Sequence, residues 1–267
     1  MIVVELRKLL RRPRTWVSIA LLVALPTIVA VFLKTSGVAP RPGTGPAFLS
    51  AILGNGALFP AAALAIVLPL FLPVSVAVLA GDAVAGEAQS GTLRYLLLRP
   101  VSRTRLLVAK LVAVVTFTLL AVLVVALSAY VVGTQLFGSS ALPSTSGTSL
   151  TTQQAVLRTG ISMAYVAWSM VGVAAVALFL STLTDSPLAA ALGAIALLVI
   201  SGVLVSLQAA SSVQPYLPTR YWLAFVDLFR DPVLWRDVVR GTILQAAYVV
   251  VFLGAAWANL STKDVTS

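Results

Sequence analysis

The chain of 267 residues contains no cysteine and no histidine. Without cysteine there is no disulfide and no thiolate nucleophile. Without histidine there is no imidazole for acid–base work, and lacking both removes Cys/His zinc sites and haem attachment. The missing thiols leave the redox compartment undecided. Charge is scarce too: 10% of the residues are charged, against roughly 25% in an ordinary soluble domain. What abounds is hydrocarbon. Hydrophobic residues make up 60% of the chain, too many for its polar groups to cover in water, so an integral membrane protein is expected. The net charge of +10 suits basic residues that flank spans and meet anionic headgroups. Membrane lipid is therefore an expected partner, and nucleic acid is not.

A helix needs ~20 apolar residues to cross the hydrocarbon. Six stretches qualify: Trp16–Leu33, Phe59–Ala80, Leu106–Val132, Ile161–Leu183, Leu188–Gln208 and Thr242–Leu260. The runs are continuous rather than alternating, which predicts helices and not a barrel. Trp16–Leu33 exceeds a signal-peptide core and no small-x-small site precedes Lys34, so it is expected to stay as an anchor. Ser186-Pro187 reads as an N-cap with Pro at the first helical position, and Ser102 can cap the third span. Pro69 and Pro73 should kink the second span.

Lys and Arg set the orientation. Arg7, Lys8, Arg11, Arg12, Arg14, Arg94, Arg99, Arg103, Arg105, Lys110 and Lys263 fall on one side, and seven basic residues fall on the other. The positive-inside rule then puts both termini in the cytoplasm of a multi-pass protein of the cell (plasma) membrane. Met1–Arg12 carries Ile2, Leu6 and Leu9 at helical spacing among Glu5, Arg7, Lys8 and Arg11, which predicts an amphipathic interfacial helix ending near Pro13.

The chain has no phosphate-cradling Gly-rich loop with its lysine. Its acids are Glu5, Asp82, Glu87, Asp185, Asp227, Asp231, Asp237 and Asp264, scattered over loops. Asp82 and Glu87 are five positions apart, about 140° around a helix, which disfavours a shared metal or an acid/base pair. No catalytic residue, no metal and no bound cofactor are expected, and the chain is not expected to be an enzyme. Hydroxyls and amides within the spans read as interhelical or helix-backbone hydrogen bonds.

The most informative stretch is Gly86-Glu-Ala-Gln-Ser-Gly-Thr-Leu-Arg-Tyr-Leu-Leu-Leu-Arg-Pro-Val-Ser-Arg-Thr-Arg-Leu-Leu-Val-Ala-Lys110. Gly91 breaks the chain direction, and Thr92–Leu98 can form two turns with Leu93, Leu96 and Leu97 on one face. Arg94 and Arg99 point elsewhere, and Pro100 ends the element. An acid, then Gly-Thr-Leu, then Arg-Pro-Val-Ser-Arg, then Lys resembles the first cytoplasmic loop of the permease (transmembrane) subunits of type 2 ABC exporters. Glu5-Leu6-Arg7-Lys8 followed by Arg12-Pro-Arg looks like the connector helix of the same family, and Leu260–Ser267 looks like its short tail.

That resemblance implies a single permease domain over 1–267. Its fold class is an all-α integral membrane bundle of six transmembrane helices. An N-terminal interfacial helix, a cytoplasmic coupling helix between spans two and three, and short external helices between spans five and six complete it. It implies two permease chains, identical or homologous, over two copies of an ABC ATPase subunit that carries the ATP and Mg. The implied ATPase contacts are Glu87, Gly91, Thr92, Leu93, Arg94, Leu97, Arg99, Pro100 and Arg103, with a second, smaller contact at Asp185. Lys110 and Arg103 are available to phosphates or to partner acids. The rival reading is a non-transporting membrane anchor or regulatory subunit that docks a cytoplasmic partner through the same loop. With no charge inside the spans beyond Lys110, the expected cargo is amphipathic or lipid-like, such as a hydrophobic drug.

In Tyr221–Arg240, Trp222, Phe225, Val226 and Phe229 recur at helical spacing, and Asp231-Pro232 looks like a helix restart leading to Leu234, Trp235 and Val238. The expectation is two short helices dipping into the outer leaflet, with Trp222, Phe225, Phe229 and Trp235 as candidates for an external gate.

Overall fold

The computed structural model describes residues 2–36, 56–91, 102–138, 142–143 and 149–262. The proposed coupling helix, with Thr92, Leu93, Arg94, Leu97, Arg99 and Pro100, lies outside the described residues, as does the tail from Lys263.

Six helices are long and apolar enough to cross a membrane, which makes this a multi-pass membrane protein. Helix α1 (Ile2–Arg11) is followed after one residue by α2 (Pro13–Ser36), the first span. A 3-10 turn, Gly56–Leu58, leads into α3 (Phe59–Val67) and then α4 (Phe71–Gln89). The remaining spans are α5 (Arg103–Phe137), α6 (Thr152–Leu183), α7 (Pro187–Ser206) and α8 (Trp235–Thr262). Between α5 and α6, Leu142–Pro143 pairs antiparallel with Ser149–Leu150.

The bundle is organised around α6, two thirds of whose apolar stretch is buried (67%). Helices α4, α5, α7 and α8 pack against it, and α2 lies outside against α5. Helix contacts are lined by small residues, as expected where lipid supplies no hydrophobic drive between helices. Ala77, Ala80 and Ala85 of α4, Ala174 and Ala177 of α6, and Ala191 and Ala194 of α7 are all buried. The closest approach joins Gly56 to α5: a Cβ built on Gly56 would stand 1.9 Å from the Gly133 carbonyl oxygen.

The second span departs from its expected form. In place of one kinked helix over Phe59–Ala80, the chain forms α3, a turn at Leu68–Leu70, and then α4. Pro69 and Pro73 withhold the N–H groups that the carbonyls of Ala65 and Pro69 would meet in a continuous helix. Pro73 then falls in the first turn of α4, where a missing N–H costs least.

Caps set several boundaries. Ser102 accepts from the Arg105 N–H at 3.3 Å and Ser186 from Ala189 at 3.3 Å, both as expected. Helix α6 begins earlier than hydropathy suggests, because Thr151 and Gln154 form a reciprocal capping box. The segment between α7 and α8 is three short 3-10 helices, the longest being Trp222–Phe229. Its apolar side is not turned outward: Trp222, Phe225, Leu228 and Phe229 are buried in the bundle core. The expected restart at Asp231-Pro232 does not occur, since helix resumes at Trp235 and runs on as α8, with Trp235 exposed. The pair of short helices dipping outward is thus replaced by one that packs inward. Its aromatic stripe finds more contact among α6 and α8 than a headgroup layer offers.

Candidate functional site

At one end of the bundle, the roots of α4 and α5 and the whole of α1 are tied by charge. Helix α1 is first fixed by its elbow with α2. Thr15, 1% exposed, donates its hydroxyl to the Leu9 carbonyl at 2.8 Å, and the Trp16 indole donates to Leu10 at 2.8 Å. These bonds satisfy carbonyls that the end of α1 leaves without helical donors.

Thus held, α1 presents Glu5 and Lys8 to the bundle. Lys110 of α5 reaches Glu5 at 3.0 Å and also pairs with Glu87 of α4, whose carboxylate takes Lys8 at 3.1 Å. Lys110 and Glu87 are 2% and 5% exposed. One turn and a half earlier on α4, Asp82 receives Arg12 and, at 2.7 Å, Arg14. Asp82 and Glu87 do serve different partners, but they lie within α4, not in a loop past its end. The arrangement neutralises a lysine that would otherwise stand bare at the edge of the hydrocarbon. Glu87 therefore faces Lys8 and Lys110 inside the cluster rather than the open surface. Its acid fixes the root of the second span.

The cluster brackets the start of 92–101. Gly91 adopts φ 69°, the left-handed conformation that ends a helix, and its N–H donates to Ala88 at 3.0 Å. On the far side Arg103 donates to the Leu260 carbonyl, and Thr104 accepts from the Trp257 indole at 2.9 Å. Asn259 donates to the carbonyl and hydroxyl of Thr182 at 2.8 and 3.0 Å, joining the ends of α8 and α6. Asp185 is exposed in the short connection that follows α6. Glu5, Lys8, Glu87, Gly91, Arg103 and Asp185 thus gather at one end of the bundle. Leu6 is half-buried and Arg7 exposed on α1. Trp222, Phe225 and Phe229 belong to the segment between α7 and α8 and Trp235 opens α8, all away from this cluster.

A family model for proteins of unknown function, DUF2705, matches residues 21–266. The chain belongs to the DUF2705 family. No curated protein matches the chain. The match to this DUF2705 chain begins within the first span and takes in the other five whole, so α1 and the N-terminal half of the ion cluster are outside it.

One further residue of this DUF2705 chain was not legible beforehand. Ser181 of α6, fully buried, donates to the Gly81 carbonyl at 2.6 Å and accepts from the N–H groups of Val84 and Ala85 at 3.1 and 2.9 Å. A hydroxyl inserted into a helix's own ladder marks a point where the helix can bend. It spans the turn that carries Asp82 and precedes Glu87, between the body of the bundle and its charged end. Among the described residues no group of three metal-ligating side chains occurs.

Proposed function

We propose that this chain is the permease subunit of an ATP-driven exporter of the type 2 ABC kind, with ATP hydrolysed by separate subunits. The observation that carries the reading is the order of the motif along Gly86–Lys110, with Glu87 and Lys110 buried at its flanks and Ser102 capping the helix that follows. A segment tied at both flanks passes a push on to the spans that hold it. The tie of α1 to Glu87 and Lys110 supports the same reading, because a load on the loop reaches the first three spans together. In this reading both termini are cytoplasmic, α1 lies on the headgroups with Val3 and Val4 (75% and 67% exposed) toward lipid, and two permease chains sit over two ATPase subunits. The cargo is amphipathic or hydrophobic, because the described spans offer no unpaired counter-ion at mid-depth. The inward-packed Trp222–Phe229 segment acts as the outer closure.

The test is co-purification from membranes with an ABC ATPase that lacks its own spans, followed by ATPase and transport assays in lipid vesicles. Arg94→Glu should leave the spans inserted and abolish capture, since a like-charge juxtaposition at a docking site costs several kcal/mol. Normal assembly and turnover by Arg94→Glu would overturn the reading. Capture without transport of any amphipathic compound would assign the anchor role instead.

A further inference from the structure

We propose that the hollow between α3, α5 and α6, in the leaflet opposite the ion cluster, binds the glycerol-ester region of a diacyl membrane lipid. The site goes beyond the exporter reading and needs only that the ion cluster mark one edge of the bilayer.

Its lining runs from apolar to hydroxylic. The hollow, about 290 Å³, is walled by Pro60, Leu123, Leu127 and Met163; its polar side chains are Tyr130 and Thr159, and no charged residue lines it. Tyr130 lies twenty residues along α5 from Lys110, about 30 Å of helix. Thr159 lies twenty-two residues along α6 from Ser181, whose hydroxyl sits on the turn that carries Asp82, about 33 Å. With ~30 Å of hydrocarbon between the two boundaries, both hydroxyls reach the far one. Leu123, about 10 Å back along α5, stays within the hydrocarbon. A hydroxyl rim over an apolar floor matches the level at which lipid esters give way to acyl chains.

The two hydroxyls are unspent. Thr27, Thr116, Thr118, Thr134 and Thr242 each donate to the carbonyl four residues back on their own helix, which satisfies a threonine within a span. Thr159, half-buried, makes no such bond, and neither its hydroxyl nor that of Tyr130 has a partner among the described residues. A donor beside hydrocarbon is costly without an acceptor, and the acceptors held at this depth are lipid oxygens. A phosphate calls for Lys or Arg, which the lining lacks. Neutral ester carbonyls need only the two donors. A Cβ built on Gly160 would meet nothing within 4 Å, so an acyl chain can lie against α6 there.

Native mass spectrometry of the full chain in a mild non-ionic detergent tests the site, with phosphatidylglycerol, phosphatidylethanolamine or the dialkyl-ether analogue of phosphatidylglycerol added. One ester lipid per chain should survive collision energies that strip the rest, whichever headgroup it carries, and the ether analogue should be retained several-fold less. Thr159→Val and Tyr130→Phe should each lower retention of the ester lipid several-fold, and Gly160→Leu, which fills the hollow, should abolish it. Gly254→Leu, at an equally open glycine on α8, should not. No retained lipid, equal retention of ester and ether lipids, retention that follows the headgroup, or parental binding by Gly160→Leu or Thr159→Val would overturn the proposal. The ester-to-ether comparison uses the parent chain, so it stands even where a variant fails to fold. ATPase capture bears on the exporter reading and not on this site, so the two can fail separately.

Discussion

Lys110 and Glu5 stand 3.0 Å apart across 105 positions of sequence, joining the third span to the helix that precedes the first. An ammonium carries three donors, and here two acids from different elements take it, Glu5 on α1 and Glu87 on α4. The first helix is therefore part of the electrostatics of the bundle and not an appendage to it.

Lys110→Met should destabilise the protein by about 3–5 kcal/mol, because it leaves two carboxylates buried without their common cation. The drop would be read as a lowered unfolding midpoint in detergent. Adding Glu87→Gln to Lys110→Met should recover part of it, and Lys8→Ala, whose side chain is 38% exposed, should cost much less. A wild-type midpoint for Lys110→Met would mean that the cluster holds nothing together.

Ser181→Ala should cost about 1–3 kcal/mol, since the lost hydroxyl leaves buried backbone groups of α4 without a partner. Hydrogen exchange gives a more local reading: the amides of Val84 and Ala85 should exchange faster than in the parent chain. Unchanged exchange at both would show that the helix ladder closes on its own.

Gly56→Ala should destabilise by roughly 1–3 kcal/mol, because the new methyl meets backbone and not a movable side chain. Gly254→Ala is the control: nothing lies within 4 Å of a Cβ there, and the gain in helix propensity is up to about 1 kcal/mol. Equal melting of the two variants would remove the close crossing at Gly133.

Sidedness is open to a labelling test. In the cysteine-free chain, a cysteine at Gly147 should react with a membrane-impermeant maleimide on intact cells, and one at Ser90 only after permeabilisation. The inverse pattern would place the ion cluster outside and end the coupling argument.

Five spans were legible because each is a continuous apolar run, the second was placed at Phe59–Ala80 where the structure has its spanning helix at Phe71–Gln89, and span ends were legible only where a cap was obvious. Ser102 and Ser186 announced themselves beside Pro100 and Pro187. The starts of α6 and α8 did not, since Thr152–Gly160 and Trp235–Gly241 are helical turns too polar for a hydropathy window. A lysine alone in an apolar run, as Lys110 is, does signal that an acid must meet it, yet eight acids were available and only the packing of α1 selects Glu5 and Glu87. Ser181 carried no signal at all. Thr116 and Thr118 bond to their own helix four residues back, and nothing in the local sequence shows that Ser181 reaches another helix instead.

The ion cluster also has a consequence for assembly. Glu5 is made before the first span, Glu87 at the end of the second and Lys110 at the beginning of the third. They can meet only if both intervening crossings have been completed in alternating directions, so that all three residues return to one side of the bilayer. A first span left uninserted leaves Glu5 on the opposite face from Glu87 and Lys110, with ~30 Å of hydrocarbon between them. The contacts that lock α1 in place thus report on the topology of the nascent chain. A mis-threaded copy would be left with a loose, basic N-terminal helix and a lysine that has lost one of its two acids, features by which cellular quality control can tell it from a finished one.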